Sequence, residues 1–245
     1  MYIHEYGDPS LPALVLLHPM EVTGEELYAL FSRHLAGRYH IISPDQGGHG
    51  SSGPYVSEFE EAGALRDWLV KRGYARIRLL YGASMGGCAA YELMKMPELR
   101  FEKVWIDGTG FAPDARFMNW MMREMFLRKL KSVRKDPSKP SANLIKMYGP
   151  DFEPMMRANF AKLSEADITN ICRACSRRKL QKVSGAIHLE WGEKDPNLKS
   201  ALPQVKTYLP TAEVVTRGGY GHCGYMAFHT REYVREMEAF INQEV

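Results

Sequence analysis

Gly82-Ala83-Ser84-Met85-Gly86 comes directly after the apolar run Ile77-Arg78-Leu79-Leu80-Tyr81 and leads into an Ala-containing stretch, Gly87-Cys88-Ala89-Ala90-Tyr91. The run has the length and composition of a buried strand, and the Ala-containing stretch reads as a helix running to about Met96. A serine on a tight strand-to-helix turn is held in a strained backbone conformation with its hydroxyl exposed. Small residues two before and two after it let the strand and helix approach, and Gly82 and Gly86 supply that room. The same turn sets backbone N–H groups at a helix N-terminus, where negative charge developing on an oxygen is favoured.

Moving outward from this turn, short apolar runs alternate with longer amphipathic ones. Strands are expected at Ala13–Leu17, His40–Ser43, Ile77–Tyr81, Val104–Asp107, Ile187–Trp191 and Glu213–Thr216. Helices are expected at Glu58–Lys71, Gly87–Met96, Leu198–Leu209 and Arg231–Ile241. This order predicts the α/β class, a mostly parallel sheet wrapped by helices. Between Asp107 and Ile187 the pattern changes. From Pro113 to Lys182 there are 16 Lys and Arg against 7 Asp and Glu, a balance of +9, and seven of the 14 methionines. The remainder, 16 against 22, carries −6, so the formal net charge of +3 hides two unlike parts. Residues 112–183 are therefore expected to form a helical subdomain inserted between core segments 1–111 and 184–245. Its first helix is expected at Pro113–Lys131, with Pro113 in the first turn, and its last at Glu165–Leu180, capped by Ser164 and Asp167.

The 245 residues, 45% apolar and 25% charged, have ordinary globular composition, which excludes disordered, collagen-like and coiled-coil classes. Four cysteines (Cys88, Cys172, Cys175, Cys223) are too few for a disulfide framework, and Met1–Tyr6 lacks the basic and apolar regions of a secretory leader. A cytoplasmic protein without membrane insertion is the expectation.

Four motifs, in order, resemble those of the α/β-hydrolase superfamily, in particular its serine-nucleophile, capped esterase and lipase branch. Leu16-Leu17-His18-Pro19-Met20 stands where the family has a strand and an H-G turn. Pro44-Asp45-Gln46-Gly47-Gly48-His49-Gly50-Ser51-Ser52 resembles its D-x-x-G-H-G-x-S loop. The turn at Ser84 is third. Trp191-Gly192-Glu193-Lys194-Asp195 and Gly219-Tyr220-Gly221-His222 resemble the turns that present an acid and a histidine. The chain order Ser, Asp, His is the family's own. The resemblance implies an α/β-hydrolase fold with a helical cap, and no cofactor.

A serine hydroxyl is a weak nucleophile, so an imidazole must take its proton and return it to the leaving group, and an acid must fix the imidazole tautomer. His222 and Asp195 are the candidates beside Ser84. Asp107, one strand earlier, is a rival acid, and Glu193 a weaker one. The backbone N–H groups of Met20 and Met85 are the expected oxyanion donors. Pro19 departs from the family's glycine and stiffens the first turn, but the donor lies one residue later. Ser84 sets the chain apart from the aspartate-nucleophile branches.

Other motifs imply less. His18 and His49 read as loop-bridging residues, and the histidines lack metal-ligand spacing. Gly48-His49-Gly50-Ser51-Ser52-Gly53 matches a dinucleotide fingerprint, but no helix follows at once and no ribose-binding acid ends the next strand. Cys172-Arg173-Ala174-Cys175 lacks the second ligand pair of a zinc site. Among the apolar residues near and within the insert, Phe111, Trp120 and Met121 are expected to line a substrate pocket. The expected substrate is a small carboxylic ester, with a carbon–carbon bond hydrolase of diketone-type substrates or a non-catalytic ligand-binding protein as alternatives. No nucleic-acid-binding module is present.

Overall fold

The computed structural model describes residues 1–243. Its sheet has seven strands: β1 (Tyr2–Tyr6), β2 (Ala13–Leu17), β3 (His40–Asp45), β4 (Arg76–Ala83), β5 (Arg100–Asp107), β6 (Ile187–Gly192) and β7 (Glu213–Arg217). They lie in the order β1-β3-β2-β4-β5-β6-β7, with β1 antiparallel and the others parallel. All six expected strands are present. β1 is additional; its short, partly exposed Tyr-Ile-His-Glu-Tyr has no clear alternation and becomes a strand by pairing with β3.

Every residue of β2 is buried, as both faces of a parallel sheet are covered. Alternation along the strands divides the core in two. Val15, Leu17, Leu80, Ile106 and Leu189 pack with α2 (Glu58–Lys71), α3 (Met85–Leu93) and α8 (Leu198–Tyr208). Leu14, Leu16, Leu79, Tyr81 and Trp105 pack on the other face with α1 (Gly24–Leu35) and α10 (Thr230–Asn242). Helix α1 is not among the expected elements, although Thr23 and Glu26 form a complete capping box at its start. The one-turn helix α9 (Gly224–Phe228) is also additional.

Four helices lie between β5 and β6: α4 (Arg116–Lys135), α5 (Ala142–Tyr148), α6 (Glu153–Lys162) and α7 (Glu165–Ser176). Three boundaries differ from expectation. Helix α4 starts three residues after Pro113, with Ala115 as its cap residue, and continues past Lys131 to Lys135. Helix α7, capped by Ser164 and Asp167 as expected, stops at Ser176, where Arg177 becomes extended and the Arg178 N–H donates to Ala112 O at 3.1 Å. The Arg178 guanidinium is buried, donates to Cys88 O at 3.0 Å and lies over Tyr91 and Phe111, fastening the end of this segment to α3. No helix among the described residues is long and apolar enough to cross a membrane.

Strand order reverses between β2 and β4, because β2 leads outward to β3 and the chain then returns past β2 to β4. In open α/β sheets the crevice at the carboxyl ends of such strands is where ligands bind. Met20 follows β2 and Ser84 follows β4, so both lie at this switch point.

Candidate active site

Ser84 stands between β4 and α3 with φ 50° and ψ −111°, outside the ordinary regions for an L residue. Two contacts with the end of β5 hold it there: its N–H donates to Asp107 O at 2.7 Å, and its carbonyl accepts from Thr109 Oγ1 at 2.9 Å. The neighbouring glycines are demanded by packing. A Cβ on Gly86 would sit 2.2 Å from Leu17 O, and one on Gly82 would sit 2.8 Å from Gly86 O.

His222 lies on the loop after β7, with Nε2 2.8 Å from Ser84 Oγ and Nδ1 2.8 Å from Asp195 Oδ2. Asp195 follows β6 and is buried; its second oxygen accepts the Asn197 N–H at 2.8 Å. Asn197 in turn donates to Gly108 O, fixing this turn against the β5 loop. The carboxylate facing Nδ1 sets the Nδ1–H tautomer of His222 and leaves Nε2 to accept from the serine hydroxyl. Burial lowers the basicity of His222, but the Asp195 carboxylate outweighs it and lifts the pKa above the usual 6.5. The three expected residues are thus in direct contact.

Asp107 is close but differently engaged. Its Oδ2 accepts from the Tyr233 hydroxyl at 3.2 Å, and Tyr233 also accepts from Trp105 Nε1 at 2.8 Å. Burial and the nearby Glu190 carboxylate push the Asp107 carboxyl well above the usual carboxylate range. Glu193 is exposed and accepts from Gly219 N–H, away from the imidazole.

The Met85 N–H opens α3 and the Met20 N–H follows β2; neither has a hydrogen-bond partner among the described residues. His18 and His49 do bridge loops. His18 donates from Nδ1 to Pro19 O and accepts the Gln46 N–H at Nε2; burial, with His49 adjacent, lowers its pKa to about 3. His49 accepts the Glu21 N–H at 3.2 Å.

Trp120 and Met121 lie on one face of α4, 56% and 51% exposed, where they line a shallow depression with Glu124, Met125 and Arg128, while the opposite face of that helix packs Met122, Phe126, Leu130 and Val133 against α6 and α7. Phe111 is sealed in the core against Tyr91 and Trp191. The pair Cys172 and Cys175 is split: Cys172 is buried among the insert helices, while Cys175 Sγ lies 3.8 Å from Cys88 Sγ.

The residues that do reach the switch point from α4–α7 escape sequence reasoning. Lys129 of α4 pairs with buried Glu21 at 2.5 Å, and Asn159 of α6 donates to Glu21 O at 3.2 Å. Tyr148 ends α5 beside Cys223 and Met226. The one available signal is their helical spacing opposite exposed positions.

The sequence profile of the Alpha/beta hydrolase family matches residues 14–236. Among solved structures, an alpha/beta hydrolase family protein from Desulfitobacterium hafniense superposes with TM-score 0.79 at 19% identity, covering 98% of this chain and 100% of that one. The enol-lactonase from Burkholderia xenovorans gives TM-score 0.75 at 16% identity over 99% and 96% of the two chains. An esterase from Exiguobacterium antarcticum gives 0.75 at 15% identity over 99% and 95%. At these identities the likeness is one of fold. No curated protein matches the sequence.

Proposed function

The chain belongs to the alpha/beta hydrolase family, and from that premise we propose that it is a serine hydrolase of small carboxylic esters working through an acyl-enzyme on Ser84. The carrying observation is the bridge made by His222, 2.8 Å from both the Ser84 hydroxyl and the Asp195 carboxylate. As Ser84 Oγ attacks the ester carbonyl carbon, its proton passes to His222 Nε2 and the carbonyl electron pair moves onto oxygen. The N–H groups of Met20 and Met85 receive that oxyanion, each donor typically worth about 100- to 1,000-fold in rate. Collapse expels the alcohol, which takes the proton from His222. Water then attacks the acyl carbon while His222 accepts its proton, releasing the acid and restoring Ser84–OH. Asp195 stays ionised throughout and stabilises the imidazolium.

Residues 112–183 act as a cap in this reading. Support comes from the ties between α4–α7 and the loops beside Ser84: Lys129 and Asn159 to Glu21, and Asp167 Oδ1 accepting the Tyr55 N–H at 2.8 Å. The names of the fold neighbours, esterases and an enol-lactonase, support an ester or lactone over other acyl bonds. All four cysteines are free thiols, which suits a reducing, cytoplasmic setting.

The test is labelling with a fluorophosphonate probe together with a panel of p-nitrophenyl esters and a ring-cleavage diketone. Stoichiometric labelling that Ser84→Ala abolishes, with ester turnover, is expected. A probe reaction indifferent to Ser84→Ala would overturn the nucleophile assignment, and turnover of the diketone alone would overturn the ester.

A further inference from the structure

Helix α4 buries one face against α6 and α7, and the helical period sets Phe117, Trp120, Met121 and Met125 along the other. Each of these is more than half exposed, Phe117 the most at 73%. They are contiguous: the Phe117 and Trp120 rings lie 5.9 Å apart, and Trp120, Met121 and Met125 share the shallow depression with Glu124 and Arg128. Single exposed apolar side chains are ordinary, but a contiguous apolar patch marks a binding surface.

The same face changes character toward its C-terminal end, where Arg128, Lys131 and Lys135 are exposed. Helix α4 holds seven Lys and Arg against the single acid Glu124, a balance of +6. Its other cations are engaged: Arg116 pairs with Asp114, Arg123 with Glu124 and Lys129 with Glu21, while Arg134 donates to Ala161 O and Leu163 O. Arg128, Lys131 and Lys135 have no acidic partner among the described residues, so their charge is turned to whatever the face meets. Free cations beside exposed aromatic and thioether side chains complement a surface that sets anionic phosphates over an apolar interior. A second copy of the chain is disfavoured, because it would bring the same positive helix against this one.

We propose that the exposed face of α4 docks the protein on an anionic phospholipid surface, with Phe117, Trp120, Met121 and Met125 entering the boundary between headgroups and acyl chains and Arg128, Lys131 and Lys135 meeting lipid phosphates. The helix lies along the surface and does not cross it, since its inner face stays packed on α6 and α7. Each cation near such a surface strengthens partitioning about fivefold, so the three together carry about 100-fold, and salt screens that share. The amphipathic ring of Trp120 suits this depth, where one side is apolar and the other wet. Docking of this kind is independent of the chemistry at Ser84.

Flotation with vesicles of phosphatidylcholine alone, and of phosphatidylcholine and phosphatidylglycerol in equal parts, measures the partitioning. The wild type is expected to favour the anionic vesicles by at least about tenfold at about 0.05 M NaCl and to be released at about 0.5 M. Binding should shift tryptophan emission to the blue, and Trp120→Phe should remove the shift while leaving partitioning within about threefold. The double variant Phe117→Ser with Trp120→Ser, and the triple variant Arg128→Gln, Lys131→Gln and Lys135→Gln, are each expected to lose at least about tenfold. A triple variant of equal charge change on α2 and α8, Lys71→Gln, Lys199→Gln and Lys206→Gln, should lose less than about threefold. All these positions are exposed, so the variants keep the fold. A wild type that does not bind anionic vesicles, or equal losses in the two triple variants, overturns the proposal. Binding to soluble polyglutamate but not to vesicles, weakened by the same α4 variants, would assign the face to an acidic protein and overturn it as well.

Discussion

The Tyr233 hydroxyl donates to Asp107 Oδ2 across 3.2 Å, inside a buried chain that continues to Trp105 Nε1. That bond separates two carboxyl groups that sequence order leaves as rivals. Asp107 is pinned by Tyr233 of α10, and burial with Glu190 raises its pKa well above the carboxylate range. Asp195 turns its Oδ2 to the imidazole instead.

Asp195→Asn is therefore expected to lower kcat by about 100- to 10,000-fold, since an amide offers a donor where His222 needs an acceptor. Asp107→Asn leaves that bond intact and should cost less than about tenfold. Steady-state kinetics on the two variants, with thermal melts as a folding control, check this. Collapse of turnover in Asp107→Asn alone would reverse the assignment.

The pH profile is set by the raised pKa of His222. Attack needs the neutral imidazole, so kcat/KM should rise with pH and level off past an inflection above 6.5. The stabilisation that the Asp195 pairing lends the imidazolium runs the opposite way: full below the unfolded-state pKa, it is lost as pH rises through the folded-state value. In Asp195→Asn the inflection should move to lower pH. A profile flat from about pH 5 to 9 would remove His222 from the rate equation.

Glu61 gives a stability prediction remote from turnover. Burial pushes its carboxyl up to about 7 from 4.5, although Oε2 accepts the Gly47 N–H at 3.1 Å. A raised carboxyl pKa favours the folded state while protonated, so this group costs stability progressively as pH rises from 4.5 to about 7 and by a constant amount above. Glu61→Gln keeps an acceptor for Gly47. It should stabilise the protein by roughly 3 kcal/mol at about pH 8 and by little at about pH 4.5, at about 1.4 kcal/mol per pH unit. Denaturant melts at the two pH values measure the difference; equal effects would contradict the burial argument.

Trp120 and Met121 test whether the exposed face of α4 takes part in binding the ester. With both side chains more than half exposed, Trp120→Ser and Met121→Ser should change stability by no more than about 0.5 kcal/mol and ester kcat/KM by no more than about twofold. A tenfold rise in KM would return them to the substrate.

Much of the molecule is legible locally. The central strand β2 is a continuous apolar run because both its faces are buried, and the turn at Ser84 is marked by glycines that a strand–helix contact requires. The cap of α7 is visible in Ser164 and Asp167. Strand β1 and helices α5 and α6 are not: they are short, weakly patterned and stabilised by what they pack on.

The sequence by itself determined the α/β class, the place of the inserted helices and the turn that carries Ser84, since these depend on nearest-neighbour chemistry and period. Only the tertiary structure decided which acid meets His222, which face of α4 turns outward, and that Lys129 and Asn159 of the inserted helices meet Glu21. Those outcomes depend on how segments distant in the chain are rotated against one another, and a residue's type and spacing carry no record of that rotation.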